Sequence, residues 1–262
     1  MTALRFRLRR AAAALAAVAF LTASPAAAAK KKKRKEPEPT AVPRPPDPNR
    51  VTIATADGVA LAASWRPVDG NDKAPAVLLL HDFSRERREL EPLAQKLGEA
   101  GYATLAVDLR AHGESTRKNG QPIPISPRLL SDPNGFPRDV EAAAAWMKAR
   151  APKTAALGFS VGGYLALLAA ARGQVDAAIV ISVNEPRVAG LAGQSPPGPR
   201  SLLVLACEED PGRADSAKEL EAAAHAPKRL LLFPGAAHNL ALLREHPEAG
   251  KAVLDWLSER LK

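Results

Sequence analysis

The sequence contains very little cysteine and few aromatic residues. Cys207 is the single cysteine among 262 residues, so no intramolecular disulfide can form. Aromatic residues make up only 4%, which argues against a deep aromatic cleft for large apolar ligands. No His, Asp and Glu residues have metal-ligand spacing, and no glycine-rich stretch carries the lysine of a phosphate loop. The sequence therefore predicts no metal and no cofactor.

Most of the chain also lacks an excess of either charge, although its formal net charge is +9. Twelve of the 37 Lys and Arg residues and three of the 28 Asp and Glu residues fall within the first 50 positions, so the other 212 residues carry 25 of each sign. A nucleic-acid-binding surface needs a local excess of positive charge. We therefore expect no nucleic acid as a partner of the folded domain.

The first 29 residues have the pattern of a cleaved secretory signal. Four arginines precede an apolar stretch from Ala11 to Leu21, and small residues follow as far as Ala28 and Ala29. This pattern predicts an exported protein, periplasmic or secreted after cleavage near Ala28 or Ala29. The apolar stretch is short for a membrane span, so an uncleaved anchor is the less favoured alternative. The export route stays open.

Residues 30–50 join a basic run, Lys30 to Lys35, to a proline-rich stretch. Such a segment buries too little apolar surface to offset the entropy lost on ordering, so we predict a disordered linker. The basic run has the charge for weak contact with anionic surfaces, although a solvated tail is the favoured interpretation.

Residues 51–262 alternate between strand patterns and helix patterns. A hairpin is predicted around Asp57-Gly58, and a continuous apolar run at 75–80 is typical of a strand buried on both faces. Repeated strand and helix alternation predicts an α/β fold, with a mostly parallel central sheet and helices on both faces. We expect one domain over 51–262.

Three side chains with complementary chemistry each follow a predicted strand. Ser160, Asp210 and His238 occur in this order, and the carboxyl ends of parallel strands meet at one edge of a sheet. A serine hydroxyl needs an imidazole to accept its proton, and the imidazole needs a carboxylate to fix its tautomer. This order predicts a nucleophile, an acid and a base at one site.

The sequence Gly-Phe-Ser-Val-Gly at 158–162 lies where a predicted strand turns into a helix. A sharp turn there exposes the Ser160 hydroxyl and directs the Val161 N–H and the helix N-terminus at the developing oxyanion. Gly162 and Gly163 keep the turn free of side chains that would clash with neighbouring strands.

With these motifs the chain resembles the α/β-hydrolase family over 51–262. The resemblance rests on the elbow at 158–162, on Asp-Leu-Arg-Ala-His-Gly-Glu-Ser at 108–115, on the Asp210-Pro211 turn and on His238. It is closest to small serine esterases and to dienelactone-hydrolase-like proteins, with serine where the dienelactone type has cysteine.

The resemblance implies a role for each matching residue. Ser160 would be the nucleophile, Asp210 the acid, and His238 the general base and later acid. The main-chain N–H groups of Val161 and Phe83 would form the oxyanion hole.

One position departs from the family pattern. His81-Asp82 stands where many members have His-Gly. An anion beside the oxyanion hole weakens it unless the anion points away or is paired. Arg85, Arg87 and Arg88 are close enough in sequence to be its partners.

Other acids and histidines compete for these roles. Glu208 and Glu209 adjoin Asp210, and Asp108 follows an earlier strand, where closing its loop by binding backbone N–H groups is its simpler role. The remaining histidines are read as a buried structural residue, a loop or pocket residue, and two surface residues at helix edges: His81, His112, His225 and His246.

Loop lengths indicate the shape of the site. Residues 184–200, where many relatives insert a helical lid, are too few for a multi-helix lid, whereas 116–139 is the longest loop and could wall the site. A short or absent lid predicts an open site for a small-molecule ester or related acyl substrate. The favoured function is an exported serine carboxylesterase. The alternatives are a serine peptidase or acyltransferase, or a non-catalytic binding protein, and the oligomeric state stays open.

Overall fold

A computed structural model describes residues 45–193 and 201–262. The predicted leader, 1–29, and most of the predicted linker lie outside the described residues. Pro46–Lys262 form one compact unit. Within the described ranges, no helix has both the length and the apolar character needed to cross a membrane.

The secondary structure alternates as the sequence predicts. The strands of the described residues are β1 (Arg50–Ala54), β2 (Ala60–Arg66), β3 (Ala76–Leu80), β4 (Ala103–Val107), β5 (Arg117–Lys118), β6 (Gln121–Pro122), β7 (Thr154–Phe159), β8 (Ala177–Ile181), β9 (Leu202–Cys207) and β10 (Lys228–Phe233). The α-helices are α1 (Glu91–Glu99), α2 (Phe136–Lys148), α3 (Val161–Ala171), α4 (Glu185–Val188), α5 (Arg213–Ala223), α6 (Leu240–Glu245) and α7 (Pro247–Leu261). Short 3-10 helices cover Arg87–Leu90, Pro127–Leu130 and Ala189–Ala192.

Eight strands form one sheet in the order β1-β2-β4-β3-β7-β8-β9-β10. The β1–β2 and β2–β4 pairs are antiparallel, and every other pair in this sheet is parallel. Every residue of β3, β4, β7, β8 and β9 is buried, as parallel strands covered on both faces require. The predicted α/β fold with a mostly parallel sheet is confirmed.

Helices cover both faces of the sheet. Successive strand residues point to opposite faces, so Leu78 joins the core cluster that holds α2 and α3, while Leu79 joins the cluster that holds α1 and α7. The loops at the carboxyl ends of β3, β7, β9 and β10 are therefore fixed from both sides by packed layers.

The compact unit begins a few residues before position 51. β1 begins at Arg50, and Asp47 accepts a hydrogen bond from the Ser64 hydroxyl of β2 and lies 3.6 Å from the Arg87 guanidinium. These contacts attach Pro46 to Arg50 to the sheet, although composition alone groups them with the preceding prolines.

The connection between β8 and β9 is short. Its described residues form α4, a single turn, and the 3-10 turn Ala189–Ala192. Within this described part no multi-helix lid covers the sheet edge.

Candidate active site

Ser160 lies at the junction between β7 and α3 in a strained conformation. Its φ is 50° and its ψ is −116°, a region that L-residues rarely occupy. A Cβ on Gly162 would come within 2.4 Å of the Leu80 carbonyl oxygen, and one on Gly158 within 2.0 Å of the Gly162 carbonyl oxygen. The expectation that glycine keeps this turn clear of its neighbours is confirmed, because backbone occupies the space that side chains would need.

His238 and Asp210 contact each other. Nδ1 of His238 lies 2.7 Å from Oδ2 of Asp210, although the two residues are 28 positions apart. The loop after β9 buries Asp210 to 6% exposure, and the loop after β10 leaves the His238 side chain 37% exposed. A buried carboxylate on Nδ1 fixes the tautomer that leaves Nε2 free to accept a proton.

Ser160 and His238 line the same cavity, which has a volume of about 290 Å³. Among the described residues no hydrogen bond joins their side chains, so what the structure shows is that both groups face one space. Leu130 contributes to this wall from the long 116–139 loop, and Arg187 and Val188 contribute from α4. The 116–139 loop therefore walls the site as expected, and the short β8–β9 connection contributes to the wall without forming a multi-helix lid in its described part.

The two backbone groups assigned to the oxyanion hole have different surroundings. Val161 is the first residue of α3, so its N–H lies among those that have no partner within the helix. The Phe83 N–H instead donates to Oδ1 of Asp82 at 2.6 Å. Oδ2 of Asp82 accepts from the Asn239 side-chain amide at 2.8 Å. The Asp82 carboxylate thus binds the Phe83 N–H, which the resemblance assigns to the oxyanion hole.

The arginines near Asp82 in sequence have partners elsewhere. Arg85 pairs with Glu89 at 3.4 Å, and Arg87 is fully buried against Asp108. Asp108 also accepts the Arg87 N–H at 2.7 Å and the Glu114 N–H at 2.9 Å. Asp108 therefore closes its loop by binding backbone N–H groups, which was its simpler predicted role.

The rival acids and bases differ from the His238–Asp210 pair in their exposure or in their partners. Glu208 and Glu209 are exposed. His81 is 1% exposed, accepts the Leu109 N–H at Nε2 and contacts the Asp82 carbonyl at Nδ1, and burial lowers the pKa of its imidazole to about 4. His112 is buried beside Phe83, and burial lowers its pKa as well. His225 is exposed and His246 contacts Glu248 at the start of α7.

Sequence reasoning missed two residues at the site. Asn239 has φ 54° and ψ −124°, donates its backbone N–H to the buried Ser182 hydroxyl at 3.0 Å, and reaches Asp82 with its side chain. Its only sequence signal is its position directly after His238. Arg187 lines the Ser160 cavity and has no side-chain partner among the described residues. Those residues include no cluster of three or more His, Cys, Asp or Glu side chains placed to hold a metal ion.

Comparison with known sequences gives one match over most of the chain. The model of the dienelactone hydrolase family matches residues 61–259. An uncharacterized 31.7 kDa protein of Escherichia coli is 39% identical over 70 residues, which cover 26% of this chain and 24% of that protein. A probable 2-oxo-3-(5-oxofuran-2-ylidene)propanoate lactonase of Bradyrhizobium sp. is 32% identical over 125 residues, 46% of this chain and 50% of that protein. The chain thus spans half the length, or less, of the curated relatives it matches.

Solved structures are similar over about four fifths of this chain. An esterase of Pyrococcus furiosus superposes with a TM-score of 0.63 at 19% identity, covering 81% of this chain and 91% of that one. An α/β serine hydrolase without a lid from Xanthomonas campestris gives a TM-score of 0.62 at 19% identity, covering 80% and 93%. At this identity the structural likeness establishes the fold alone, and the match to the family model establishes the family.

Proposed function

Because the chain belongs to the dienelactone hydrolase family, within the α/β-hydrolase fold, we propose that it is an exported serine hydrolase that cleaves carboxylic esters. Ser160 is the nucleophile, His238 the general base and later acid, and Asp210 the acid that orients the imidazole. One observation carries the proposal: His238 contacts Asp210 at 2.7 Å and shares a cavity with the strained Ser160.

The reaction follows from this arrangement. Nε2 of His238 accepts the hydroxyl proton as Ser160 Oγ attacks the ester carbonyl, and a tetrahedral oxyanion forms. The Val161 N–H, at the N-terminus of α3, stabilises the oxyanion, with the Phe83 N–H as the second donor. The ester C–O bond then breaks, His238 gives its proton to the leaving alkoxide, and water releases the acyl group from Ser160 by the same steps.

A fluorophosphonate probe tests the nucleophile. The purified wild-type protein should be labelled, and Ser160→Ala should lose the labelling completely. Ser131→Ala is the matched control, because Ser131 is an exposed serine next to Leu130 of the cavity wall, and it should be labelled like wild type. Labelling that survives Ser160→Ala would refute the assignment. Absence of labelling and of ester turnover in wild type would favour a non-catalytic binding protein.

A substrate panel separates ester cleavage from the other reactions of this fold. Esters should turn over faster than matched amides and thioesters, whereas preferred amides would indicate a peptidase, and acyl transfer to an added alcohol an acyltransferase. Lactones belong in the panel for a specific reason. The Bradyrhizobium relative is named a propanoate lactonase, and Arg187 offers the Ser160 cavity a cation for a substrate carboxylate. Lactone hydrolysis is therefore the second candidate.

Export is the other part of the proposal, and the leader at 1–29 supports it. N-terminal sequencing of the protein recovered outside the cytoplasm should begin near Lys30. A chain that keeps Met1 would favour an uncleaved anchor instead.

A further inference from the structure

Asp82 links the loop after β3, which carries the Phe83 N–H, to the loop after β10, which carries His238. Its Oδ1 accepts the Phe83 N–H at 2.6 Å and its Oδ2 accepts the Asn239 side-chain amide at 2.8 Å. The second bond connects the loop after β3 to the residue that follows His238. Hydrogen bonds to a charged acceptor are about twice as strong as neutral ones, so Asp82 competes well for the Phe83 N–H.

The backbone around Asp82 is held in place from three directions. The Asp82 carbonyl accepts the Arg85 N–H at 3.1 Å and contacts His81 Nδ1 at 2.7 Å, and His81 in turn accepts the Leu109 N–H. Ser84 has φ 62°, as the third position of a type II turn requires. The Phe83 N–H therefore stays where it is, and only rotation of the Asp82 side chain can free it.

The carboxylate of Asp82 has unused capacity to accept hydrogen bonds. An ionised carboxylate offers about four lone-pair sites, and the described residues fill two of them with neutral N–H donors. No Lys, Arg or His of the described residues forms an ion pair with it. Asp82 also borders both cavities that meet at His238, the one of about 290 Å³ with Ser160 and a second of about 410 Å³. A bound substrate can therefore reach it.

We infer that Asp82 is an internal ligand of the oxyanion hole, which a substrate displaces by offering this carboxylate a hydrogen-bond donor of its own. The inference rests on the proposed function and names its substrate class: esters whose acyl group carries a hydroxyl or ammonium group next to the scissile carbonyl. Such a group takes over Asp82 and releases the Phe83 N–H to the oxyanion. A plain acyl group leaves Asp82 in place and reacts with the Val161 N–H alone.

Matched methyl esters test this. Methyl 2-hydroxypropanoate and methyl 2-methylpropanoate differ by a hydroxyl in place of a methyl group, and alanine methyl ester places an ammonium there. The measured quantity is the ratio of kcat for each donor-bearing ester to kcat for the plain ester, divided by the same ratio for hydroxide-catalysed hydrolysis. Wild type should show a corrected ratio of about 10 or more, because one oxyanion-hole donor changes kcat by about 10²–10³.

Asp82→Ala should lower the corrected ratio to about 1 by raising kcat for the plain ester, with KM little changed, since the Phe83 N–H acts in the transition state. Asn239→Gly should give an intermediate ratio, because glycine accepts the positive φ and removes the contact to Oδ2. Glu208→Gln removes an exposed carboxylate from the Asp210 loop and should leave the ratio as in wild type.

The opposite results would overturn the inference. These are a wild-type ratio near 1, a ratio that survives Asp82→Ala, or an Asp82→Ala variant that loses kcat equally for all the esters. Stoichiometric fluorophosphonate labelling of each variant shows that the fold and Ser160 are intact, so these failures differ from failure of the proposed function, in which labelling itself is lost. If Asp82→Ala does not fold, Asp82→Asn keeps the side-chain volume, removes the charge and should move the ratio in the same direction.

Discussion

Two pairs of carboxylates follow strands or begin helices near the same sheet edge, and their partners differ. Asp108 and Asp139, the framework carboxylates, are fully buried and each contacts a guanidinium. Asp108 pairs with Arg87, and Asp139 pairs with Arg110 at 2.8 Å. Each also accepts a backbone N–H. Charge and hydrogen bonds are matched at both, as a buried ion pair needs to be if it is not to destabilise the fold.

Asp82 and Asp210, the site carboxylates, have weaker partners. Among the described residues Asp82 accepts only from neutral N–H groups, and Asp210 faces Nδ1 of His238, with the Arg213 guanidinium at 3.6 Å. An under-matched carboxylate keeps the capacity to respond when a new charge or donor arrives. The difference separates two aspartates whose partner is a fixed cation from the two that the proposed reaction uses, whose partners can change.

The largest expected effect is a loss of kcat when a site carboxylate is replaced. Asp210→Asn should lower kcat by about 10⁴, because the amide favours the wrong tautomer of His238, while Tm changes little. Steady-state ester hydrolysis and a thermal melt measure the two quantities. Glu209→Gln, which removes the adjacent exposed carboxylate, is the control and should keep its kcat within a few fold. Equal losses in the two variants would remove Asp210 from the reaction.

The next effect is a loss of stability when a framework carboxylate is replaced. Asp108→Asn should lower the free energy of unfolding by about 3–5 kcal/mol, because it leaves the buried Arg87 short of its main counter-charge. Urea unfolding measures this loss. Glu114→Gln removes a second partner of Arg87 whose side chain is 38% exposed, and should cost less than about 1 kcal/mol. If the two substitutions lower the free energy of unfolding equally, burial of the ion pair does not set the framework carboxylates apart from exposed ones.

The smallest effect is a pH dependence of the free energy of unfolding, and it comes from His81, which contacts the Asp82 carbonyl. Burial lowers the pKa of His81 to about 4 from its usual 6.5, so the unfolded chain binds this proton more tightly. The contribution of His81 to stability is therefore complete above pH 6.5 and is lost as the pH falls toward 4, by at most about 1.4 kcal/mol per pH unit for one proton. Urea unfolding at pH 7, 6, 5 and 4 should show this slope.

His81→Asn removes the titrating group and should flatten that slope. Carboxylates elsewhere in the chain contribute below pH 5, so the comparison is the difference between the two proteins at each pH. A constant difference across the range would mean that His81 is not neutral and buried as the structure has it.

The regular part of the fold was predictable from local patterns. The apolar run at β3 is a short-range signal, and the Asp57-Gly58 hairpin joins β1 to β2 as expected. The start of the compact unit was harder to predict from sequence, because Asp47 is held by a tertiary contact with Ser64. The short helix α6 was also missed, because its six residues show too little periodicity.

The candidate site was predictable to the extent that it depends on strand ends. Ser160, Asp210 and His238 each follow a strand, so topology brings their loops to one edge. The Asp82–Asn239 contact spans 157 positions and joins residues with no shared motif. Strand topology predicts that loops meet at one edge, but it does not predict which donor an aspartate there binds. The neighbouring arginines Arg85 and Arg87 pair with other carboxylates.

The construction of the Ser160 cavity has a consequence for directed evolution. The backbone of the elbow beside Ser160 is closely packed, and even a methyl group on Gly162 would collide with the Leu80 carbonyl. Part of the cavity wall comes from Leu130, Arg187 and Val188, which lie on segments outside the central sheet. A saturation library at these three wall positions can thus change the acyl preference while the elbow is left alone, and a library at position 162 should return mostly unfolded clones.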